Sequence, residues 1–152
     1  GWRLAVTDRL GGAVGVFQVR VAYSGKGLPG PVHSGDYVLR IRTRGDQASG
    51  EIVMDLNAMP DQRAENSSRV RVDRSDTLYR FTPEGESTRM VWVQHTDPNG
   101  ALPGWLVNSL LVDIPVRSME ALERVANSKK YQGYQLVYDE QGQLTGLRMN
   151  KP

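Results

Sequence analysis

The sequence predicts an α+β fold in which a curved antiparallel β-sheet wraps around one long C-terminal α-helix. Most of the chain consists of short segments in which apolar and polar residues alternate, joined by connections that are too short for parallel crossovers. Only one long stretch, late in the chain, has helical spacing of its apolar residues. A single helix buries one apolar stripe, whereas each strand offers an apolar face, so the sheet has to curve around the helix.

The predicted strands follow from alternation that is interrupted by turn residues. Leu39 and Ile41 point to one side of their segment and Arg40 to the other, while Met54 and Leu56 share a face of the next segment. Glycine, proline and aspartate cluster between the segments, at 45–50, 73–76 and 83–86, where we expect turns. The predicted strands are 14–23, 37–43, 51–57, 68–74, 77–82 and 88–96, arranged as an antiparallel meander.

The run 97–108, Asp-Pro-Asn-Gly-Ala-Leu-Pro-Gly-Trp-Leu-Val-Asn, carries the densest set of structural signals. Its first four residues have turn chemistry, and Pro103 suits the first turn of a helix, where a missing N–H costs nothing. We therefore expect a helix over 103–127, kinked or briefly broken near Ile114 by Pro115. The alternation resumes after Gly133 and predicts a small C-terminal hairpin at 134–149.

The composition limits the class of protein and the kinds of partner and chemistry that are possible. The 152 residues have the length of a single domain, 1–152, and with 39% hydrophobic and 24% charged residues they predict a globular protein. A net charge of +2, with no basic block interleaved with aromatic residues, argues against a nucleic-acid partner. The absence of cysteine excludes disulfides and thiolate nucleophiles. The first residues lack the features of a signal peptide, which leaves two localisations open: cytoplasmic, or periplasmic or secreted after removal of a signal peptide.

Motifs for catalysis or cofactor binding are not found. His33 and His95 lack the spacing of a zinc site, and no Gly-x-Ser-x-Gly elbow occurs. The segment 25–30 matches Gly-x-Gly-x-x-Gly, but Pro31 and a strand follow it where a phosphate-binding loop needs a helix. We therefore expect no catalytic residues, no metal and no cofactor.

Three motifs in the order of one known family support a more specific prediction. Asp36-Tyr37-Val38 resembles the Arg-Asp-aromatic-Val strand of the START (StAR-related lipid-transfer) domains of bacterial type, and Val70-Arg71-Val72 resembles their short Val-Arg strand. The run 97–108 is similar to their Asp-Pro-x-Gly-x-Ile/Leu-Pro-x-Trp-Leu-Val-Asn junction. The chain departs from the family between Tyr23 and Asp36, where two helices and a strand are lacking, and Ile41 replaces the cavity arginine of sterol-binding members.

The resemblance implies a helix-grip fold and a function that is not enzymatic. Such a domain binds a hydrophobic ligand, expected to be a lipid, in a tunnel between the sheet and the C-terminal helix, for lipid transport or sensing. Transient contact with a membrane would accompany this function, and the oligomeric state stays open. The implied ligand-binding residues are Leu39, Ile41, Met54, Leu56, Met90, Trp92, Trp105, Leu106, Leu110 and Leu111. The implied gate over the tunnel is the loop with Met59, Pro60, Asp61 and Arg63.

Two other interpretations stay open at this point. Polyketide aromatase/cyclases resemble the same grip fold, and His95 with Tyr79 or Arg40 could serve such an enzyme as acid and base if they converge in a cavity. A structural interaction module would instead have a packed interior without a void, and Trp105 and the leucines of the helix would then be ordinary core.

Overall fold

The computed structural model describes residues 3–6, 14–22, 34–62, 64–65, 69–97 and 108–149. Within these ranges, seven strands form one sheet and two form a separate hairpin. The strands are β1 (Arg3–Val6), β2 (Val14–Ala22), β3 (Ser34–Gly45), β4 (Ile52–Ala58), β5 (Arg69–Arg71), β6 (Arg74–Glu84), β7 (Ser87–Asp97), β8 (Tyr134–Tyr138) and β9 (Leu144–Met149). A 3-10 turn at Pro60–Gln62 follows β4, a π-helical turn at Ser109–Asp113 precedes the α-helix α1 (Ile114–Ala126), and a 3-10 turn at Lys129–Tyr131 follows it. The α+β class is therefore confirmed.

The large sheet has the order β1-β2-β3-β4-β6-β7, with every neighbouring pair antiparallel. Local side-chain chemistry sets its tight turns. Between β3 and β4 the Asp46 carboxylate accepts hydrogen bonds from the backbone N–H of Ser49 at 2.9 Å and from its hydroxyl at 2.6 Å. These bonds hold the pKa of Asp46 below its usual value. Gly50 and Gly85 have φ of 70° and 61°, a conformation that glycine adopts without steric cost.

Strand β5 is where the predicted meander is wrong. Instead of continuing the antiparallel series, β5 pairs in parallel with the start of β3, in the register Ser34 with Arg69 and Asp36 with Arg71. It thus lies on the edge of β3 beyond the end of β4. The predicted turn at 73–76 is also wrong, since β6 begins at Arg74 and three of these four residues belong to it. Strand β5 has only three residues, and alternation over so short a segment does not indicate with which strand it pairs.

The C-terminal helix is described from Ser109 to Ala126. Residues 98–107, including Pro103, Trp105 and Leu106, lie outside the described part of the chain. The described helical segment consists of the five-residue π-helical turn and the 13-residue helix α1. Pro115 lies in the first turn of α1, and the helix type changes directly before it, as the predicted interruption near Ile114 requires. Proline lacks an N–H and crowds the preceding turn, and a wider π-helical turn accommodates both effects.

The chain divides into two compact units, 1–99 with 138–146 and 100–137 with 147–152. In the first unit, the turn of the hairpin joins the large sheet, because Asp46 forms an isolated bridge with Gln143 and the N–H of Gln47 donates to the carbonyl of Gly142 at 2.9 Å. In the second unit, α1 leaves Val116, Met119 and Leu122 between 40% and 54% exposed. No helix among the described residues is long and apolar enough to span a membrane.

Candidate functional site

The register of the large sheet places its side chains on two faces of different chemistry. Cross-strand partners share a face, and so do residues two apart in a strand. Ile41 is opposite Leu56, Met54 is opposite Tyr79, and Tyr79 is opposite Trp92. The apolar face defined in this way comprises Leu39, Ile41, Thr43, Ile52, Met54, Leu56, Ala58, Thr77, Tyr79, Phe81, Met90 and Trp92, with Gln94 as its one amide among the described residues. The opposite face, called the charged face below, carries Arg40, Arg42, Arg44, Asp55, Asn57, Asp76, Arg80 and His95 together with the apolar residues Val53, Leu78, Val91 and Val93.

The apolar face brings together the six strand residues that the sequence assigns to ligand binding. Leu39 is buried, while the other five are half-buried, so this face keeps apolar surface within reach of a ligand. These five are Ile41, Met54, Leu56, Met90 and Trp92. Their common face follows from alternation alone and required no long-range prediction.

The other predicted ligand-binding residues lie in or near the helix. Trp105 and Leu106 are outside the described residues, as is Arg63 of the predicted gate. Leu110 belongs to the π-helical turn, and Leu111 in the same turn is 71% exposed. Whether these residues share a site with the apolar face stays a prediction.

Tyr79 of β6 and Trp92 of β7 form an aromatic pair on the apolar face. Their ring centroids are 5.5 Å apart, and the rings are inclined by 50°, a favourable tilted arrangement. Burial raises the pKa of Tyr79 above its usual value. The indole Nε1 of Trp92 is buried, and no acceptor within the described ranges of the chain lies within hydrogen-bonding distance of it. A buried donor of this kind normally has a hydrogen-bond partner.

The residues proposed for a cyclase are not brought together. Tyr79 lies on the apolar face, whereas His95 and Arg40 lie on the charged face. His95 is in β7 and Arg40 is in β3, three inter-strand steps apart, which corresponds to roughly 14 Å. His95 is moreover exposed and lies opposite Asp76. The predicted acid–base set therefore does not form one site, because strand alternation separates its members.

A buried ion pair on the side of the sheet opposite the apolar face was not predicted from the sequence. Arg71 of β5 donates from Nη2 to Oδ2 of Asp36 in β3 at 2.8 Å and from Nε at 3.1 Å. Their side chains are only 4% and 1% exposed. Both residues occur in the motifs used above, but 35 positions separate them. Their pairing depends on the parallel register of β5, which three residues do not encode.

The predicted gate loop is in contact with this pair. Met59 and Pro60 are half-buried and Asp61 is exposed. The guanidinium of Arg71 donates to the backbone carbonyl of Pro60 and, at 3.0 Å, to that of Ala64. The loop is thus attached to the sheet through a charged side chain that lies beneath it.

Comparisons with known proteins agree with this architecture. A crystal structure of a STAR-related lipid transfer protein from Xanthomonas axonopodis (fragment 25–204) has a TM-score of 0.61 with this chain, at 23% identity, over 84% of this chain and 67% of that one. An uncharacterized protein of Pseudomonas aeruginosa is 30% identical over 108 residues, which is 70% of this chain and 53% of the relative. The chain therefore spans about half the length of this curated relative. The family model of the START domain matches residues 3–126, and the chain belongs to the START domain family.

Proposed function

We propose that this chain binds a hydrophobic ligand, a lipid, on the apolar face of its large sheet, and that it serves lipid transport or sensing. The observation that carries the proposal is the convergence of Ile41, Met54, Leu56, Met90 and Trp92 on one face, each only half-buried. Family membership and the lipid-transfer protein of similar fold support it. The tunnel between this face and the C-terminal helix stays part of the proposal.

The driving force would be burial of apolar ligand surface. A ligand that buries roughly 400 Å² of apolar surface gains about 10 kcal/mol before ordering costs, at about 25 cal/mol per Å². The loss of translational and rotational freedom offsets roughly 4 kcal/mol or more, which leaves at most about 6 kcal/mol and predicts a Kd of roughly 40 μM or weaker for a ligand of this size. The Nε1 donor of Trp92 has no acceptor among the described residues, and we infer that it favours a lipid with a hydrogen-bond acceptor, such as an ester or a hydroxyl, over a plain hydrocarbon.

Native mass spectrometry of the protein purified from cells tests the proposal most directly. Co-purifying lipid, or uptake of a fluorescent fatty acid or sterol, would support it. A bound polyketide-like aromatic compound would favour the cyclase interpretation instead. A clean mass of the free chain, together with no uptake of either probe, would refute the lipid-binding function.

A pair of variants locates the binding surface. Leu56→Asn introduces an amide on the apolar face and should weaken binding of the fluorescent fatty acid about tenfold or more, because a polar group must be desolvated. Val93→Asn is the matched control on the other side of the sheet, where Val93 is 58% exposed. Equal affinities of the two variants would show that the ligand does not bind on the apolar face. Circular dichroism verifies that both variants are folded.

A further inference from the structure

The chain continues beyond the part that matches the START family. The family model ends at residue 126, whereas the 3-10 turn Lys129–Tyr131 and the hairpin of β8 and β9 follow it. We call residues 127–149 the C-terminal extension. Because this extension lies outside the matched part, its function has to follow from its own residues.

The 3-10 turn of the extension is fixed to the end of helix α1 by side-chain hydrogen bonds. Oγ of Ser128 donates to the carbonyl of Val125 at 2.7 Å, and Nε2 of Gln132 donates to that of Ala126 at 2.7 Å. The last carbonyls of a helix have no partner inside the helix, so these two bonds satisfy groups that would otherwise need water. The turn Lys129–Tyr131 is therefore held in one place at the end of the helix.

Positive charge is concentrated around this turn. Between Glu123 and Asp139 the sequence has three basic residues and no acidic one. The three are exposed and are Arg124, Lys129 and Lys130. The net charge of the whole chain is only +2, so the rest of the chain is negative by one. An excess of positive charge in one short exposed stretch attracts an anionic partner.

The extension also exposes a series of apolar and aromatic side chains. Leu147 in β9 is 64% exposed, and five more exposed side chains of this kind lie between positions 131 and 149. These are Tyr131, Tyr134, Leu136, Val137 and Met149. The ammonium group of Lys130 lies 5.3 Å from the centroid of the Tyr131 ring. Lysine and tyrosine both combine an apolar body with a polar end, which suits the boundary between water and lipid.

Both faces of β8 contribute to the exposed series. Leu136 and Val137 are neighbours in the strand and therefore point to opposite faces, yet they are 43% and 36% exposed. A protein partner that packs on one face of a hairpin would leave the apolar side chains of the other face in water. The headgroup region of a bilayer surrounds an inserted hairpin and can cover both faces. Charge and apolar exposure together therefore favour a membrane surface over a protein partner.

We propose that the C-terminal extension docks the chain on a bilayer that contains anionic phospholipid. Lys129 and Lys130 bind the anionic headgroups, and the exposed apolar side chains of the hairpin enter the interfacial region. This docking does not depend on a ligand on the apolar face of the large sheet. If the chain also carries lipid, the extension brings it to the membrane with which the lipid is exchanged.

Flotation of the protein with lipid vesicles measures the docking. The unmodified protein should float with vesicles of equal parts phosphatidylcholine and phosphatidylglycerol, and added salt should weaken this binding. Vesicles of phosphatidylcholine alone should bind it much more weakly. Equal binding to the two kinds of vesicle, or no binding to either, would overturn the proposal.

A pair of double variants locates the charge that binds the vesicles. Lys129→Gln with Lys130→Gln should weaken binding about tenfold or more, because each basic residue near an anionic surface contributes about fivefold. Arg44→Gln with Arg89→Gln is the matched control, since it removes the same charge from exposed positions of the large sheet. Equal losses in the two double variants would show that only the net charge of the chain matters and would refute docking through the extension.

A fluorescent label tests insertion directly. The chain has no cysteine, so the substitution Leu147→Cys provides one unique attachment point. The label should become protected from iodide when phosphatidylglycerol vesicles are added. A label introduced by Val93→Cys, at a position 58% exposed in the large sheet, should stay accessible.

Two outcomes of the labelling experiment would contradict insertion. Equal quenching at position 147 with and without vesicles would show that the hairpin does not enter the bilayer. Protection at position 147 without vesicles, together with a dimer in analytical ultracentrifugation, would show that a second copy of the chain covers the hairpin. Failure to take up a fluorescent fatty acid would count against the proposed function alone, since docking is measured without that probe.

Discussion

Substitution of Arg71 and substitution of Asp36 should lower the free energy of unfolding by different amounts. The double variant should lose less than the sum of the two. Arg71→Met leaves the Asp36 carboxylate, 1% exposed, without its guanidinium, and loss of one partner of a buried pair costs about 3–5 kcal/mol. Asp36→Asn keeps an acceptor for Arg71 and leaves the bonds to Pro60 and Ala64 in place, so about 1–3 kcal/mol is expected. The double variant has no unpaired carboxylate and should lose less than the sum, by about 1 kcal/mol or more.

Urea denaturation followed by tryptophan fluorescence measures these differences. With a slope of about 2 kcal/mol per molar urea, a loss of about 4 kcal/mol lowers the midpoint by roughly 2 M. Domains have total stabilities of about 5–15 kcal/mol, so a variant that loses about 4 kcal/mol is close to unfolding. The titrations are therefore made at low temperature, and all variants are fitted with one common slope. Arg44→Met is the matched control, since the exposed Arg44–Asp55 pair should contribute at most about 1 kcal/mol. A loss below about 1 kcal/mol in Arg71→Met, or strict additivity in the double variant, would refute the reasoning.

Two further predictions concern the same sheet. Gly45→Ala should lower the free energy of unfolding by about 1–3 kcal/mol in urea titrations, because its Cβ would lie 2.7 Å from Cδ1 of Ile52 and 2.9 Å from Cβ of Leu144. An unchanged urea midpoint would mean that Leu144 and its hairpin shift without a cost in stability. Burial raises the pKa of Tyr79 above 10.0, so the unfolded chain ionises first and stability should fall as pH rises through about 10. Tyr79→Phe should reduce the difference between the urea midpoint at about pH 9 and that at about pH 11. If the difference is the same in the variant, Tyr79 does not cause the pH dependence.

The sequence predicts those parts of the fold that depend on local periodicity. Met54 and Leu56 share a face because side chains alternate along a strand, and the turns at 45–50 and 83–86 follow from their aspartate, proline and glycine content. The parallel pairing of β5 with β3 lies beyond such reasoning. This pairing involves only the three residues of β5, which are 35 positions from their partners in β3. Nothing in the composition of β5 distinguishes a parallel neighbour from an antiparallel one.

The candidate site likewise has one part that the sequence predicts and one part that it does not. Its apolar face was predictable because each contributing strand carries the alternation within itself. The Asp36–Arg71 pair was not, although both residues stand in the quoted motifs, because a charged residue in a strand is normally assigned to the solvent side. Burial of these two charges depends on the loop that covers them, and its carbonyls become visible as acceptors only in three dimensions.

Strand β3 joins the two parts of the candidate site. Its alternation places Leu39 on the apolar face and puts Asp36 and Val38 on the opposite face, where Asp36 holds Arg71 and the Val38 carbonyl receives the N–H of Met59. A ligand that displaces Leu39 would therefore displace the backbone to which the loop is bonded. The apolar face and the contacts of the loop therefore meet in one strand, through side chains of opposite alternation.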